Sequence, residues 1–442
     1  MERRGRRTRQ IRASLIAIAA AFALGAAAPD ARADGSWSGK VEELTYGSGA
    51  NQHQYILYTP ASRSRPGPMP LVVAAHGCMT TADQFMNATA FNDVAEREGF
   101  AVAYVDVDPA SAALPQPLRS CWRFYDPATY RRGEGHAAAV AGMTRAVMKH
   151  RRIDPERVYM AGTSAGGLMT AAMAAAYPDL FAAVSIVAGG AYGDSTCLGP
   201  SPGLPVEVIA ATARMEMGVR ARVVPRLVMG GDADLAFMPH CVAKAFFQGL
   251  RTNNLVLGQS QTSPLSLEAS SSRTEPNPGG YPSTVDSYRD PAGCLVGERW
   301  SIHGMGHFWP GGPADEEWAN FTDPKGPSGA EASWAFFSRY TRSGTAMPCA
   351  ETPAAPPRQP RCVRRKIVVG MPKRARAIRV WVNGRRAKSR VARGRLMIRV
   401  KPGSRSRTVI VIRAKRKRTG KSIKRRLAFE GCGPRSRRGA VS

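Results

Sequence analysis

Between residues 71 and 303, short apolar runs alternate with longer stretches of helical length. The runs hold five to seven residues, many of them β-branched, which is typical of strands buried in a parallel sheet. Residues 136–150 and 165–177 are long enough for helices. The alternation predicts an α/β fold, in which a mostly parallel sheet carries helices on both faces. The predicted strands are residues 71–76, 101–107, 157–162, 182–188, 225–230 and 299–303.

Three later segments depart from this alternation. Residues 252–288 are rich in Ser, Pro, Asn and Gly, so we expect a long surface insertion there. Residues 346–361 are rich in proline and are predicted to form a stiff linker. From Cys362 onward the apolar period is two, and Asn383-Gly384 is typical of a tight hairpin turn. This pattern predicts a small C-terminal antiparallel β-sandwich domain, with strands at 366–369, 378–382, 396–400 and 408–412.

Charge divides the chain in the same place. The 442 residues include 63 Lys and Arg against 33 Asp and Glu. Arg358 to Ser442 holds 31 of the bases and a single acid, Glu430, whereas the preceding residues are balanced. A break of this size indicates a domain boundary. We therefore predict a catalytic domain at 34–345, a linker at 346–361 and a basic β-rich domain at 362–442.

The amino terminus has the pattern of an export signal. Six arginines in the first twelve residues precede an apolar stretch of 16 residues, 13–28, which is short for a membrane span. Ala31-Arg32-Ala33 supplies a small-x-small cleavage pattern, so we predict removal of residues 1–33. An uncleaved anchor is the alternative, and the choice between general and twin-arginine export is open. Export predicts a secreted, extracellular protein whose cysteines pair.

A pentapeptide after the third predicted strand carries the main chemical signal. Gly162-Thr163-Ser164-Ala165-Gly166 follows a strand and precedes an Ala-rich helix. Gly-x-Ser-x-Gly in this context is typical of a nucleophile elbow, in which small residues allow a strained turn that exposes the serine. Ser164 is therefore the predicted nucleophile. The amides of Ala165 and of Cys78, which follows the strand at 71–76, are the predicted oxyanion donors.

A serine nucleophile needs a base and an orienting carboxylate. His307 lies in a Gly-rich loop after a strand and is the predicted base, with His303 as the less favoured candidate. Asp232 and Asp234 both follow the strand at 225–230, and we favour Asp234 because it lies farther into the loop. The order Ser, Asp, His is that of α/β-hydrolases. His76 is expected to be structural.

At these residues the chain resembles the polyhydroxybutyrate (PHB) depolymerase family of secreted esterases and its feruloyl-esterase-like relatives. The resemblance implies an α/β-hydrolase fold, a Ser164–Asp234–His307 triad and hydrolysis of carboxylic esters. It also implies a disulfide between Cys78 and Cys121. The basic C-terminal domain does not look like the usual substrate-binding modules of polymer depolymerases. The matching motifs are His76-Gly77-Cys78, Cys121-Trp122-Arg123-Phe124, Gly162-Thr163-Ser164-Ala165-Gly166, Asp234 and Gly304-Met305-Gly306-His307-Phe308-Trp309-Pro310-Gly311-Gly312.

The remaining cysteines and aromatics are less informative. Cys362 and Cys432 bracket the basic domain and are predicted to pair. Trp122 and Trp309 flank motif residues, and substrate binding and core packing are equally favoured for them. The sequence lacks the Cys-x-x-Cys and His-Glu-x-x-His spacings, so neither a metal site nor a cofactor is expected. The pairing of four cysteines is left open: Cys197, Cys241, Cys294 and Cys349.

These observations predict a secreted serine esterase that hydrolyses hydroxyalkanoate polyesters, their oligomers or related esters through an acyl-enzyme intermediate. A feruloyl- or acetyl-type carbohydrate esterase, an acyltransferase on cell-wall polymers and a non-catalytic wall-binding protein are the alternatives. The basic domain has the charge to bind an anionic cell-surface polymer, although a solvated surface without a ligand is as well supported. No dedicated nucleic-acid partner is expected, because export separates the protein from nucleic acid.

Overall fold

The computed structural model describes two parts of the chain. The first comprises residues 37–61, 67–107, 120–258, 265–313 and 320–345, and the second comprises seven strand segments between residues 366 and 429. The parts fall in two compact units, Met1–Ala350 and Glu351–Ser442. The predicted export signal, the linker, Cys362, Cys432 and the Asn383-Gly384 turn lie outside the described residues.

A ten-stranded sheet forms the centre of the first unit. Its order is β1-β2-β4-β3-β5-β6-β7-β10-β9-β8. Six neighbouring strands at the centre of the sheet pair in parallel: β4, β3, β5, β6, β7 and β10. The strands at both edges pair in an antiparallel manner: β1 with β2, β2 with β4, β10 with β9, and β9 with β8. The six parallel strands are those predicted from the apolar runs, so the α/β prediction is confirmed. The strands are β1 Lys40–Tyr46, β2 His53–Thr59, β3 Met69–Ala75, β4 Ala101–Val105, β5 Ile153–Thr163, β6 Ala183–Val187, β7 Arg226–Gly231, β8 Ser271–Glu275, β9 Ser283–Arg289 and β10 Leu295–Ile302.

Helices cover both faces of this sheet. Leu71 and Val73 of β3 join one buried cluster with α4 and α5, whereas Val72 and Ala74 join another with α2 and α8. Strands that are buried on both faces read as continuous apolar runs, which is why the sequence predicted them well. The helices are α1 Ala82–Ala88, α2 Phe91–Glu98, α3 Pro127–Tyr130, α4 Gly135–His150, α5 Ala165–Ala176, α6 Val206–Met217, α7 Pro239–Gly258 and α8 Gly329–Phe337, with 3-10 turns at Gly49–Asn51 and Gly218–Arg220.

The predicted insertion at 252–288 is wrong. The helix α7 continues to Gly258, and β8 and β9 extend the sheet beside β10. Polar residues hid β9 in the sequence, although Val285 and Tyr288 are buried. Two short strand pairs complete the unit: β11 Trp309–Pro310 with β12 Thr322–Asp323, and β13 Tyr340–Thr341 with β14 Gly344–Thr345.

The second unit contains two antiparallel sheets. Their orders are β15-β19-β18 and β17-β16-β20-β21, which confirms the predicted antiparallel architecture. Alternate apolar residues such as Val380, Leu396, Ile398 and Ile412 are buried. In the parts of the chain with described structure, no helix is long and apolar enough to cross a membrane. The strands are β15 Lys366–Gly370, β16 Ala375–Val382, β17 Arg385–Ala387, β18 Ser389–Ala392, β19 Arg395–Arg399, β20 Thr408–Arg416 and β21 Ser422–Phe429.

Candidate active site

Ser164 occupies a strained turn between β5 and α5. Its backbone has φ 55° and ψ −121°, a region that residues with a side chain rarely adopt. The turn is possible because two of its residues are glycines, which lie too close to neighbouring backbone atoms to carry a side chain. A Cβ at Gly162 would lie 2.2 Å from the Gly166 carbonyl oxygen, and one at Gly166 would lie 2.2 Å from the Ala75 oxygen. The Ser164 amide donates to the Val187 carbonyl at 3.0 Å, which holds the turn against β6.

The three predicted triad residues meet at the carboxyl edge of the sheet. Ser164 follows β5, Asp234 follows β7 and His307 follows β10. The Ser164 hydroxyl lies 3.0 Å from His307 Nε2, and His307 Nδ1 lies 2.8 Å from Asp234 Oδ2. Parallel strands bring their carboxyl ends to one edge, so residues distant in sequence converge there. These distances allow a proton to pass from the serine to the imidazole.

The surroundings of Asp234 keep it in one orientation. Its side chain is fully buried, and its second oxygen, Oδ1, accepts the amide protons of Ala236 and Phe237 at 2.8 and 2.9 Å. The Phe237 ring stacks on His307 with centroids 5.7 Å apart. Two backbone amides and the imidazole thus hold the two carboxylate oxygens. The carboxylate can therefore orient the imidazole and stabilise its positive charge.

A second aspartate–histidine pair lies beside the first. Asp232 Oδ2 is 2.9 Å from His303 Nδ1, and Asp232 Oδ1 accepts the Gly304 amide proton at 2.6 Å. His303 Nε2 is 2.8 Å from Thr284 Oγ1. Burial, the largest single effect, raises the pKa of Asp232, but the hydrogen bonds from Gly304 and His303 and the electrostatic interaction with His303 together outweigh it and lower the pKa. This pair is half exposed and joins the loop after β7 to the loop that carries His307.

The strand end before Cys78 is held by a buried network. His76 is fully buried, with Nε2 2.9 Å from Asp106 Oδ1 and Nδ1 2.7 Å from the Gly77 oxygen. Burial raises the pKa of Asp106, but His76 and the amides of Ala82 and Val107 lower it overall. This environment agrees with the structural role expected for His76. Sequence reasoning missed Asp106, although its position directly after β4 marks the same sheet edge.

The backbone of Gly77 and Cys78 faces the serine. A Cβ at Gly77 would lie 3.2 Å from Ser164 Cβ, and Cys78 lines the same cavity as Ser164 and His307. Ala165 begins α5, where the first amides have no partner within the helix. Amide protons on both sides of the serine can therefore approach an oxygen that develops negative charge there.

The cavity beside Ser164 is small and aromatic. Its volume is about 40 Å³. Trp309 contributes to its lining but is only 1% exposed, because the ring packs against Phe85 and Phe91 and its Nε1 donates to the Thr89 oxygen. The described lining residues are Gly77, Cys78, Thr80, Phe85, Ala88, Thr163, Ser164, His307, Phe308, Trp309, Asn320, Phe321 and Thr322.

Trp122 does not fit the substrate-binding role considered for it. Its side chain is fully buried and is absent from the lining of this cavity. The indole nitrogen donates to the His76 oxygen at 2.9 Å, and the ring packs between His76 and His136. Trp122 therefore belongs to the core beneath the site. The sequence placed it correctly beside the motif, but neighbours in sequence do not settle which way a side chain points.

Two disulfides join described cysteines. Cys78 is bonded to Cys121, the pair implied by the resemblance, and Cys197 is bonded to Cys241, a pairing that the sequence left open. Among the described residues, Cys197, Cys241 and His240 form one group close enough to hold a metal ion. Both sulfurs of that group are in the disulfide, so neither can act as a thiolate ligand.

Comparisons with known proteins agree with the motifs. Residues 53–218 match a family model described as esterase PHB depolymerase. Poly(3-hydroxyalkanoate) depolymerase C of Paucimonas lemoignei is 28% identical over 286 residues, which cover 62% of this chain and 64% of that protein. An acetylxylan esterase of Coprinopsis cinerea is 33% identical over 160 residues, or 35% of this chain and 40% of that protein. The chain thus spans less than two thirds of these relatives.

A solved structure is also similar. The acetyl xylan esterase from Aspergillus awamori has a TM-score of 0.48 and 21% identity, and the match covers 61% of this chain and 94% of that one. The resemblance to PHB depolymerase-type esterases, predicted from the motifs, is confirmed by the family model and by the named relatives.

Proposed function

We propose that this chain, whose residues 53–218 match the esterase PHB depolymerase family, is a secreted serine esterase. The observation that carries the proposal is the hydrogen-bonded series Ser164–His307–Asp234, with distances of 3.0 and 2.8 Å, at a strained turn. Ser164 is the proposed nucleophile, His307 the general base and Asp234 the residue that orients the imidazole. Relatives named as a depolymerase and as acetylxylan esterases support ester hydrolysis.

The proposed reaction has two halves. In the first, His307 Nε2 takes the Ser164 proton while Oγ attacks the ester carbonyl carbon. The amides of Cys78 and Ala165 donate to the resulting oxyanion, and His307 then protonates the departing alcohol. In the second half, His307 deprotonates a water molecule, which attacks the acyl-enzyme and releases the acid and free Ser164. Asp234 stabilises the positive charge on the imidazole in both halves.

The cavity beside Ser164 supports a small acyl group. It is small, about 40 Å³, and aromatic side chains form part of its lining. A short acyl group such as acetyl needs the least space there, and a relative named as an acetylxylan esterase supports the same choice. We therefore favour acetyl esters on carbohydrate polymers over hydroxyalkanoate polyesters.

Two other functions were considered. Acyl transfer would use the same catalytic residues, whereas a non-catalytic wall-binding protein would use none of them. Acyl transfer to a cell-wall alcohol would follow the same first half, with an acceptor hydroxyl replacing water in the second. A non-catalytic wall-binding protein would need neither the short Ser164–His307 contact nor the strained turn, which costs on the order of 1–3 kcal/mol. Retention of that strain argues for catalysis.

The location and the partner complete the proposal. The two disulfides support an oxidising, extracellular location after removal of residues 1–33. The basic C-terminal unit is proposed to hold the enzyme on an anionic cell-surface polymer.

The test is turnover of p-nitrophenyl acetate, butyrate and hexanoate by residues 34–442. Ser164→Ala should lower kcat by several orders of magnitude, on the order of a millionfold in a serine protease. Ser338→Ala, at an exposed serine after α8, is the matched control and should leave kcat unchanged. The wild type should prefer acetate. Equal turnover by the wild type and by Ser164→Ala would overturn the proposed esterase activity. If an added alcohol increases the rate of ester consumption above the rate in water alone, the result would favour acyl transfer.

A further inference from the structure

The cavity beside the proposed nucleophile has a buried floor and a more open mouth. Three residues of its lining, Phe85, Ala88 and Trp309, are at most 4% exposed. Phe308 and Phe321, in the same lining, are partly exposed. The buried residues therefore close the inner end of the cavity, and the partly exposed ones lie toward solvent. A group that passes the mouth ends against buried apolar side chains.

Two of these buried residues belong to the helix α1. Phe85 and Ala88 are three residues apart, so they lie on one face of the helix. The helix begins with a capping box, in which Thr81 Oγ1 accepts the Gln84 amide proton at 3.3 Å and the Thr81 amide donates to Gln84 Oε1 at 3.1 Å. The amide at the first helical position donates to Asp106 Oδ2 at 3.1 Å. These contacts do not involve the Phe85 ring, so the helix should stay in place without it.

The Phe85 ring packs against Trp309. The two ring centroids are 5.5 Å apart, with the ring planes at 83°. Trp309 is fixed by further contacts: its Nε1 donates to the Thr89 oxygen, and a Cβ at Gly329 would lie 3.0 Å from the indole. Edge-to-face packing on a fixed indole holds the Phe85 ring in one place. Phe85 is therefore a rigid part of the cavity wall.

Phe91 provides an internal comparison for Phe85. Its ring also packs on Trp309, with centroids 5.5 Å apart, and it is fully buried. Phe91 begins α2, and the described lining of the cavity includes Phe85 but not Phe91. Two phenylalanines thus contact the same indole, and of the two, Phe85 alone borders the space beside Ser164.

We propose that Phe85 sets the length of the acyl group that this enzyme accepts. The inference rests on the esterase activity proposed above and adds the residue that limits its substrate. An acetyl group leaves the Phe85 ring undisturbed, whereas each further methylene brings the acyl chain toward a wall that is already packed. One methylene in an apolar pocket changes kcat/KM by about 10- to 200-fold. The preferred substrates are therefore short-chain acyl esters, selected at the acyl end.

The test compares Phe85→Ala with Phe91→Ala in the mature chain. Each variant removes one buried ring from the same indole, so the two should lose similar thermal stability. The kinetic constants kcat and KM are measured for p-nitrophenyl acetate, butyrate and hexanoate at a temperature where both variants are folded. A second series with methyl, ethyl and butyl acetate varies the alcohol while the acyl group stays constant.

We expect the ratio of kcat/KM for hexanoate to that for acetate to rise about tenfold or more in Phe85→Ala. The ring that is removed carries more carbon atoms than hexanoate adds to acetate. Phe91→Ala should keep this ratio within about threefold of the wild type. Equal changes in the two variants would assign the effect to looser packing around Trp309 and overturn the proposal. A shift among alcohols without a shift among acyl groups would also overturn it, because the leaving alcohol would then lie against Phe85.

The variant Phe85→Leu covers the case in which Phe85→Ala does not fold. It removes less of the side chain and keeps an apolar contact with Trp309, so it should cost less stability. Its ratio of hexanoate to acetate should rise about threefold or more. An unchanged ratio in folded Phe85→Leu would overturn the proposal.

The double variant Phe85→Ala/Ser164→Ala separates this inference from the proposed function. It should lose turnover of hexanoate, because the longer ester still reacts at Ser164. Turnover that persists without the serine would overturn the proposed esterase site and this inference with it. Turnover that depends on Ser164, with an acyl preference that Phe85 does not change, would overturn the inference about Phe85 alone.

Discussion

At the scale of single residues, two aspartates on one loop hold two histidines in the same way. Asp234 and Asp232 both contact a histidine Nδ1, at 2.8 and 2.9 Å. Burial separates them: Asp234 is enclosed and reaches the histidine beside Ser164, whereas Asp232 is half exposed and its histidine contacts Thr284. The inner pair is suited to proton transfer at Ser164, and the outer pair to holding the His307 loop.

Asparagine at each position tests this division. Asp234→Asn should lower kcat by roughly a thousandfold to ten-thousandfold, because an amide cannot hold the imidazole in the tautomer that accepts the serine proton. Asp232→Asn keeps an oxygen for the Gly304 amide and should lower kcat less than about tenfold. Steady-state kinetics on p-nitrophenyl acetate measure both. Similar losses in the two variants would contradict the assignment of Asp234 as the orienting acid.

At the scale of elements, two disulfides close loops of nearly equal length in different places. Cys78–Cys121 and Cys197–Cys241 are separated by 43 and 44 residues. In the chain-entropy model each contributes about 4 kcal/mol to the free energy of unfolding. Cys78 lines the cavity beside Ser164, whereas neither cysteine of the second pair is in that lining. The two bonds thus offer a matched comparison of stability and catalysis.

The double variants C78S/C121S and C197S/C241S should therefore lose similar stability. Only the first should also lose kcat on p-nitrophenyl acetate at a temperature where both are folded, by about tenfold or more, because the proposed donor amide of Cys78 is no longer held. Thermal unfolding and kinetics provide the two readouts. A larger fall of kcat in C197S/C241S would show that Cys78 does not position the site.

At the scale of the whole molecule, paired carboxylates predict sensitivity to acid. Burial raises the pKa of Asp106, Asp179 and Asp286, but His76, Arg132 and Arg299 respectively outweigh it and lower the pKa. A carboxylate with a lowered pKa stabilises the fold above its unfolded pKa, about 3.9, and loses this contribution as the pH falls. The melting temperature should therefore be nearly constant near pH 6 and fall below about pH 4.

Asp106→Asn tests the sign of this effect. The variant should melt several degrees below the wild type at pH 6, and the difference should shrink by pH 3, where the wild-type carboxylate is increasingly protonated. Glu268→Gln, at an exposed side chain, is the control and should follow the wild type at every pH. A difference that stays constant between pH 6 and pH 3 would show that Asp106 acts through packing rather than charge.

The local pattern of residues determined much of this protein. Apolar runs predicted the six parallel strands because those strands are buried on both faces, and Gly162, Ser164 and Gly166 predicted the strained turn because few residues tolerate it. The jump in basic residues after Arg358 predicted a domain boundary. Each of these signals depends on neighbours in sequence, which are visible without a fold.

Contacts between distant residues were decided by the tertiary structure. Which aspartate faces His307 depends on how the loops after β7 and β10 meet, and both candidates were plausible in sequence. Trp122 was placed beside the site, yet its side chain is buried in the core. A side chain's direction and partners follow from packing across the sheet, which no local pattern encodes.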